Sequence, residues 1–348
     1  MDARTKTFGL RLLLFSLLVV CVHALVTPFV VDDVVGGVKL VALGNSVRAI
    51  RHQRTDVLVF GDSVATYREP DTPADSSIAE LLPRLLPGCR TTVVSGGALH
   101  LQLYEAFGMY ISRNPPETRP QVVVIPISLR SFATIWTARP AWKLELLRRR
   151  FIRDSFAYDL TMSPLSVFKW YDGIEGNMED FLAAPVYFGT RKVGTIGGIG
   201  LFDANFRYRP VNPSDAKRLL AITFYMEAVR PDSERFQAMI RLARRLKQAD
   251  ITPLFYVTPV DWEMCRRWLG DPAVVQIEAN VRTVADGLAA EGVHVRDWAT
   301  ALGSPAFSYG DLPSEHLALA GRTWLASAIA VAVKEEAAPG GRCGDRGR

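Results

Sequence analysis

The sequence predicts an α/β protein built on a doubly wound, mostly parallel sheet of five strands. Five short apolar runs rich in β-branched residues recur along the chain, unbroken rather than alternating, as strands covered on both faces require. Helical patterns lie between several of them, and strand–helix alternation implies parallel pairing. About a hundred residues separate the third run from the helix before the fourth, too long for an ordinary connection, so an insertion is expected there.

The elements follow in order. "DVLVF" (56–60) is the first strand and "SSIAELLPRLL" (76–86) the helix after it. "TTVVS" (91–95) is the second strand, followed by the helix "ALHLQLYEAFGMYISRN" (98–114) and the third strand "QVVVIPI" (121–127). "SERFQAMIRLARRLKQA" (233–249) spaces Phe236, Met239, Ile240 and Leu246 along one helical face and precedes the fourth strand, "ITPLFYVTP" (251–259). "AVVQIEANVRTVADGLAAEG" (273–292), with Gly292 as its stop, leads to the fifth, "VHVRDW" (293–298). The insertion, about 132–232, holds "FATIWTARPAW", "FKWYDGIEGNMEDF" and "GTIGGIGLFDANFRYRP". It reads as a cap whose aromatics pack on the sheet; stacking of exposed Trp and Tyr on a sugar is the sharper alternative.

The chain's 348 residues are 49% hydrophobic, enough for one large core or two small ones. Its charge of +5 is spread out, and the densest basic cluster, "LLRRRFIR" (146–153), reads as a solvated helix face. No nucleic-acid motif accompanies it. At the N-terminus, Arg4, Lys6 and Arg11 precede an apolar stretch from Leu12 to Val31, and Asp32 and Asp33 follow. That length spans a bilayer as a helix, and the charge asymmetry places the remainder outside the cytoplasm. A cleaved signal peptide is the rival; His23 makes the candidate cleavage site at Val22-His23-Ala24 a poor one, which favours an uncleaved anchor. The chain thus divides into an anchor with its cytoplasmic stub (1–31), a connecting region (32–55), the main domain (56–333) and a polar tail (334–348) expected to be disordered.

Of four cysteines, Cys21 lies in the apolar stretch and Cys343 in the tail. Cys89 and Cys265 remain, either as a disulfide in an oxidising compartment or as two separate thiols. No CxxC or HExxH spacing supports a metal site, and no cofactor is expected. "GDSVAT" (61–66) lacks both GxGxxG and GxxxxGK[ST], which excludes a nucleotide site of those types.

The chemistry centres on "VLVFGDSVAT" (57–66). Ser63 there is either a nucleophile or the polar end of a strand. A serine hydroxyl needs an adjacent base, normally a histidine oriented by a carboxylate. Of five histidines, His23 is in the apolar stretch, His52 precedes the sheet, His100 opens a helix and His294 sits in the fifth strand. His316, in "SYGDLPSEHLALAGRTWLASAIA", lies after the last strand in a loop that runs into a closing helix. Loops at the carboxyl ends of parallel strands share one edge, so Ser63 and His316 fall together.

"VLVFGDS" early with "GDLPSEHLALAG" late resembles the SGNH/GDSL hydrolase family over most of residues 56–331. The resemblance implies a flavodoxin-like three-layer α/β/α sandwich. It also implies Ser63 as nucleophile and His316 as base, with an aspartate holding the imidazole and a glycine and an asparagine in the oxyanion hole. The aspartate here is Asp311, five residues before the histidine where the family usually has three. Glu315 is the other local acid and, directly adjacent, is expected to point elsewhere. Gly96 and Gly97 match the family's glycine. The family's Gly-x-Asn-Asp block is replaced by "ISLRSF", with Arg130 at the asparagine position. Arg130 could donate to an oxyanion, hold an anionic substrate or form a structural ion pair.

With an anchor and an outward-facing domain, the chain is similar in architecture to SGNH-like proteins that modify cell-surface polymers. That implies a serine esterase or O-acyltransferase at the bacterial inner membrane, facing the periplasm or exterior. Its substrate would be an acylated carbohydrate, and other envelope-polysaccharide proteins its partners. The alternative is a non-catalytic envelope protein that binds polysaccharide or a partner in the same cleft.

Overall fold

The computed structural model describes residues 53–97, 99–138, 178–199, 213–309 and 314–337, with Cys343 and scattered positions before residue 53. After a short antiparallel pair at Val34–Val35 and Val38–Lys39 come strands β1 (Val57–Gly61), β2 (Thr91–Ser95) and β3 (Val122–Ile127). A hairpin of β4 (Pro185–Phe188) and β5 (Arg191–Thr195) follows, then β6 (Thr252–Val257) and β7 (Val295–Asp297). The main sheet has the order β2-β1-β3-β6-β7, and all its pairings are parallel. The central β1 and β3 are buried at every residue, whereas β2 at one edge is only partly covered, so the unbroken apolar runs match strands sandwiched on both faces.

Alternate residues feed two cores. Leu58, Phe60, Val123 and Ile125 face a layer formed by α3 (Leu101–Ser112), α7 (Glu234–Gln248) and α9 (Asp271–Ala290). Val57, Val59, Val122 and Val124 face α2 (Ile78–Leu85) and α10 (Leu319–Glu336). Helix α2 begins in a capping box, in which Ser77 and Glu80 each satisfy the other's backbone N–H. Helix α8 (Trp262–Leu269), capped by Asp261, has no counterpart in the elements expected from sequence.

Strand order reverses between β1 and β3, the position where doubly wound sheets bind ligands beyond their carboxyl ends. The β1–β3 pairing ends at Val59 and Val124. Pro126, which has no N–H to donate, stands just past that point while β3 continues alongside β6 to Ile127. The residues that follow both strands therefore border one crevice.

The described part of the insertion packs onto the main core. It contains α4 (Thr134–Ala138), α5 (Met178–Ala183), the β4–β5 hairpin and α6 (Pro213–Tyr225). Phe181, Val186, Ile196, Leu220 and Phe224 join the same core as α3 and α7. The aromatics Trp142, Trp170 and Tyr171 and the basic run 146–153 lie outside the described residues.

The domain's edges differ from the expectation. Val47 and Ile50 are buried in the main core, so part of the connecting region belongs to the domain. Helix α10 runs to Glu336, beyond the expected boundary at 333. The cysteine pairing is also corrected: Cys89 is bonded to Cys343 in the tail, and Cys265 is a buried free thiol in α8. Cys265 packs in the core on the α3–α7–α9 side of the sheet, whereas Cys89 packs against the core on the α2–α10 side.

Residues 11–18 are helical, with Leu12, Leu13, Leu14, Phe15, Leu17 and Leu18 all exposed. Residues 19–20 and 22–31 of the expected span lie outside the described residues. Among those described, no helix is long and apolar enough to cross a membrane.

Candidate active site

The site starts at the end of β1. A Cβ on Gly61 would collide with the Cβ of Ala65 and press on that of Ser95, so only glycine lets the chain turn there directly into a helix. That helix, α1 (Ser63–Thr66), is a single turn capped by Asp62, whose Oδ1 accepts the Val64 N–H at 2.8 Å. Ser63 is thus its first residue, and its own N–H belongs to those a helix start leaves without an intrahelical acceptor.

His316 arrives from the far end of the chain. Its backbone O accepts the Ser308 N–H at 2.9 Å, its N–H donates to Ser314 Oγ at 3.0 Å, and Phe307 bridges Leu317. These contacts hold His316 and Leu317 against Phe307 and Ser308. The imidazole stacks on Tyr67, centroids 4.4 Å apart and planes within 7°, and its Nε2 lies 3.1 Å from Ser63 Oγ. For Ser63 to donate to Nε2, the proton of the neutral ring must sit on Nδ1. Burial, reinforced by the nearby Arg130 charge, pushes the imidazole down to about 4, so it is neutral at pH 7. Asp311, expected at Nδ1, lies outside the described residues.

Arg130 occupies a 3₁₀ turn, Leu129–Phe132, directly after β3. Its guanidinium is buried over the Trp136 ring, 4.8 Å from the centroid, with Nη2 3.4 Å from Ser63 Oγ. It is held by two carboxylates: Nε lies 3.2 Å from Glu315 Oε2 and Nη2 3.7 Å from Asp62 Oδ2. Glu315 is fully buried and also accepts the Ser128 hydroxyl, at 2.7 and 2.8 Å. Burial pushes its carboxyl up to about 7 against the opposing pull of Arg130. Burial likewise raises Asp62, with Arg130 and the Val64 N–H opposing. Glu315 therefore turns away from the neighbouring imidazole, as expected, and its actual partner is Arg130.

The two glycines after β2 separate. The Gly96 N–H donates to Gly61 O at 3.2 Å and so extends the sheet ladder, which removes it as an oxyanion donor. Gly97 follows at the carboxyl end of β2, the strand beside β1.

Sequence reasoning missed several contributors. Tyr67 is four residues past Ser63, and nothing local marks it as a wall for a histidine 249 positions away. Ser128 and Asp62 owe their roles to Arg130. Ser63, Arg130, Ser131, Trp136 and Arg235 line a small cavity of about 20 Å³. Among the described residues, no group of acids, histidines and cysteines could hold a metal ion.

Fold and site define an α/β protein with a serine–histidine pair and a buried arginine at the switch point of a parallel sheet. Neither a scan against protein-family models nor a search of curated proteins finds a match to this chain.

Proposed function

We propose that this protein is a membrane-anchored serine esterase or O-acyltransferase of SGNH/GDSL type, acting on acyl esters of a cell-envelope glycan. The observation that carries this reading is the 3.1 Å contact between Ser63 Oγ and His316 Nε2 at the sheet's switch point. Neutral His316 takes the Ser63 proton as Oγ attacks the ester carbonyl. The Ser63 and Gly97 N–H groups, with the Arg130 guanidinium, receive the charge that develops on the carbonyl oxygen. Collapse breaks the ester C–O bond, and His316 returns the proton to the departing alcohol. Water or a glycan hydroxyl then resolves the acyl-serine, giving hydrolysis or transfer. The Cys89–Cys343 bond suits an oxidising compartment outside the cytoplasm, and the exposed apolar helix at residues 11–18 suits a membrane.

A fluorophosphonate probe tests the nucleophile without knowledge of the substrate. The native protein should be labelled and Ser63→Ala should not; equal labelling of the two removes Ser63 from the mechanism. One observation favours a second reading, a non-catalytic polysaccharide-binding protein: Arg130 is tied to two buried acids as a structural ion pair would be. Absence of labelling in the folded native protein selects that reading.

A further inference from the structure

The cavity beside Ser63 is lined by a second guanidinium, that of Arg235, the second residue of α7. Arg235 is only 3% exposed. It donates through Nη1 to the Ser131 carbonyl and through Nη2 to the Trp136 carbonyl at 2.8 Å. Its Nε has no hydrogen-bond partner, and no carboxylate lies within ion-pair distance of it among the described residues. Arg130 differs, being neutralised by Asp62 and Glu315. The Ser131 hydroxyl, which lines the same cavity, is also buried without a partner.

A buried cation without a counter-charge is costly, and here it sits in the first turn of a helix, where the macrodipole disfavours positive charge. Burial alone pushes the guanidinium down to about 9. Two backbone carbonyls can be satisfied by neutral donors, so they do not by themselves account for a cation there. Asp62, which also lines the cavity, is taken up by Arg130 and the Val64 N–H, so Arg235 lacks an anion of its own. Its unmet Nε and the unmet Ser131 hydroxyl can both donate.

We propose that Arg235 and Ser131 form a carboxylate subsite next to Ser63, so that the acyl group transferred is a dicarboxylic half-acid such as malonyl or succinyl rather than acetyl. This rests on the esterase reading and narrows its substrate class. The acyl side is preferred over the glycan side because the cavity is only about 20 Å³ and Arg235 within it is buried, which leaves no room for a polymer. The distal carboxylate takes no part in bond-making: Ser63 Oγ still displaces the alcohol from the near carbonyl, and the far carboxylate is held by the guanidinium.

The test pairs binding with turnover. Sodium malonate should raise the melting temperature of the native protein above that in sodium chloride of equal ionic strength. Arg235→Gln should abolish that difference, and Arg235→Lys, which keeps a cation without the planar fork, should keep part of it. In hydrolysis, the native protein should prefer the 4-nitrophenyl half-ester of malonate over 4-nitrophenyl acetate. Arg235→Gln should reduce the ratio of their kcat/KM values by about tenfold to a hundredfold, the scale of a charge-assisted hydrogen bond. A merely structural role for Arg235 would lower both rates together and leave the ratio unchanged, which overturns the proposal. So does equal stabilisation by malonate and chloride, the result expected if water alone fills the cavity. If the fluorophosphonate fails to label Ser63, the esterase reading falls. The subsite then stands or falls on whether the malonate effect is lost in Arg235→Gln.

Discussion

Glu315, the residue directly before the base His316, directs its buried carboxylate 3.2 Å from the Arg130 guanidinium instead of toward the imidazole. One loop thus delivers two groups to the crevice with separate tasks. His316 addresses the Ser63 hydroxyl, and Glu315 holds the cation that faces the same hydroxyl from the other strand.

Arg130→Ala tests that arrangement in two ways. If Arg130 is an oxyanion donor, turnover or labelling of Ser63 should drop by about a hundredfold or more. Because the substitution also strands two buried carboxylates, stability should fall by about 3–5 kcal/mol, read from urea unfolding. Full turnover in the variant would show that the backbone donors suffice. An unchanged unfolding midpoint would show that Asp62 and Glu315 do not depend on Arg130.

Glu315 and His316 also predict an unusual pH dependence. His316 is lowered from about 6.5 unfolded to about 4 folded. Its contribution to stability is whole above pH 6.5 and is lost as pH falls toward 4. Glu315 is raised from 4.5 to about 7, so its contribution is whole below pH 4.5 and is lost as pH rises to 7. Between pH 4.5 and 6.5 the two slopes oppose each other. Glu315→Gln should therefore make stability rise more steeply with pH across that window, measured by denaturant unfolding at each pH. A variant curve no steeper than the native one would contradict the raised Glu315 carboxyl.

The same lowering of His316 sets the acid limb of catalysis. General-base action needs the neutral imidazole, so fluorophosphonate labelling should persist well below pH 6.5 and fail as pH nears about 4. An acid limb at 6.5 or above would mean that a carboxylate at Nδ1 offsets the burial, the role assigned to Asp311 by resemblance.

The Cys89–Cys343 bond joins residues 254 positions apart and ties Cys343 to the turn before β2. Cys343→Ser should cost about 2–4 kcal/mol under oxidising conditions and nothing further under dithiothreitol. Cys265→Ser should leave the redox dependence unchanged, since Cys265 is a free thiol in the core. Loss of that dependence in Cys265→Ser would reassign the pairing.

A reporter fused at residue 340 should be active only as an exported marker if residues 12–31 anchor the chain with the domain outside. Activity of a cytoplasmic reporter there would remove the envelope substrate.

The sequence by itself determined the sheet. All five apolar runs are strands, and "TTVVS" matches β2 from Thr91 to Ser95 to the residue. Unbroken β-branched runs have few alternatives to being covered on both faces, so their identity is local information. It also determined that Ser63 and His316 share an edge, because parallel pairing puts every carboxyl-end loop on one side. What it left open depended on which side chains meet across the fold. The partner of Arg130 is Glu315 because the His316 loop crosses the end of β3, a register that neither segment encodes alone. Gly96 and Gly97 look equivalent in sequence, and only the Gly96 hydrogen bond to Gly61 separates them. The partner of Cys89 lies 254 positions away, and Arg235 looks like one more polar residue at the start of an amphipathic helix. Its burial against the crevice is settled by how α7 packs under the 3₁₀ turn after β3, a long-range contact whose geometry periodicity does not carry.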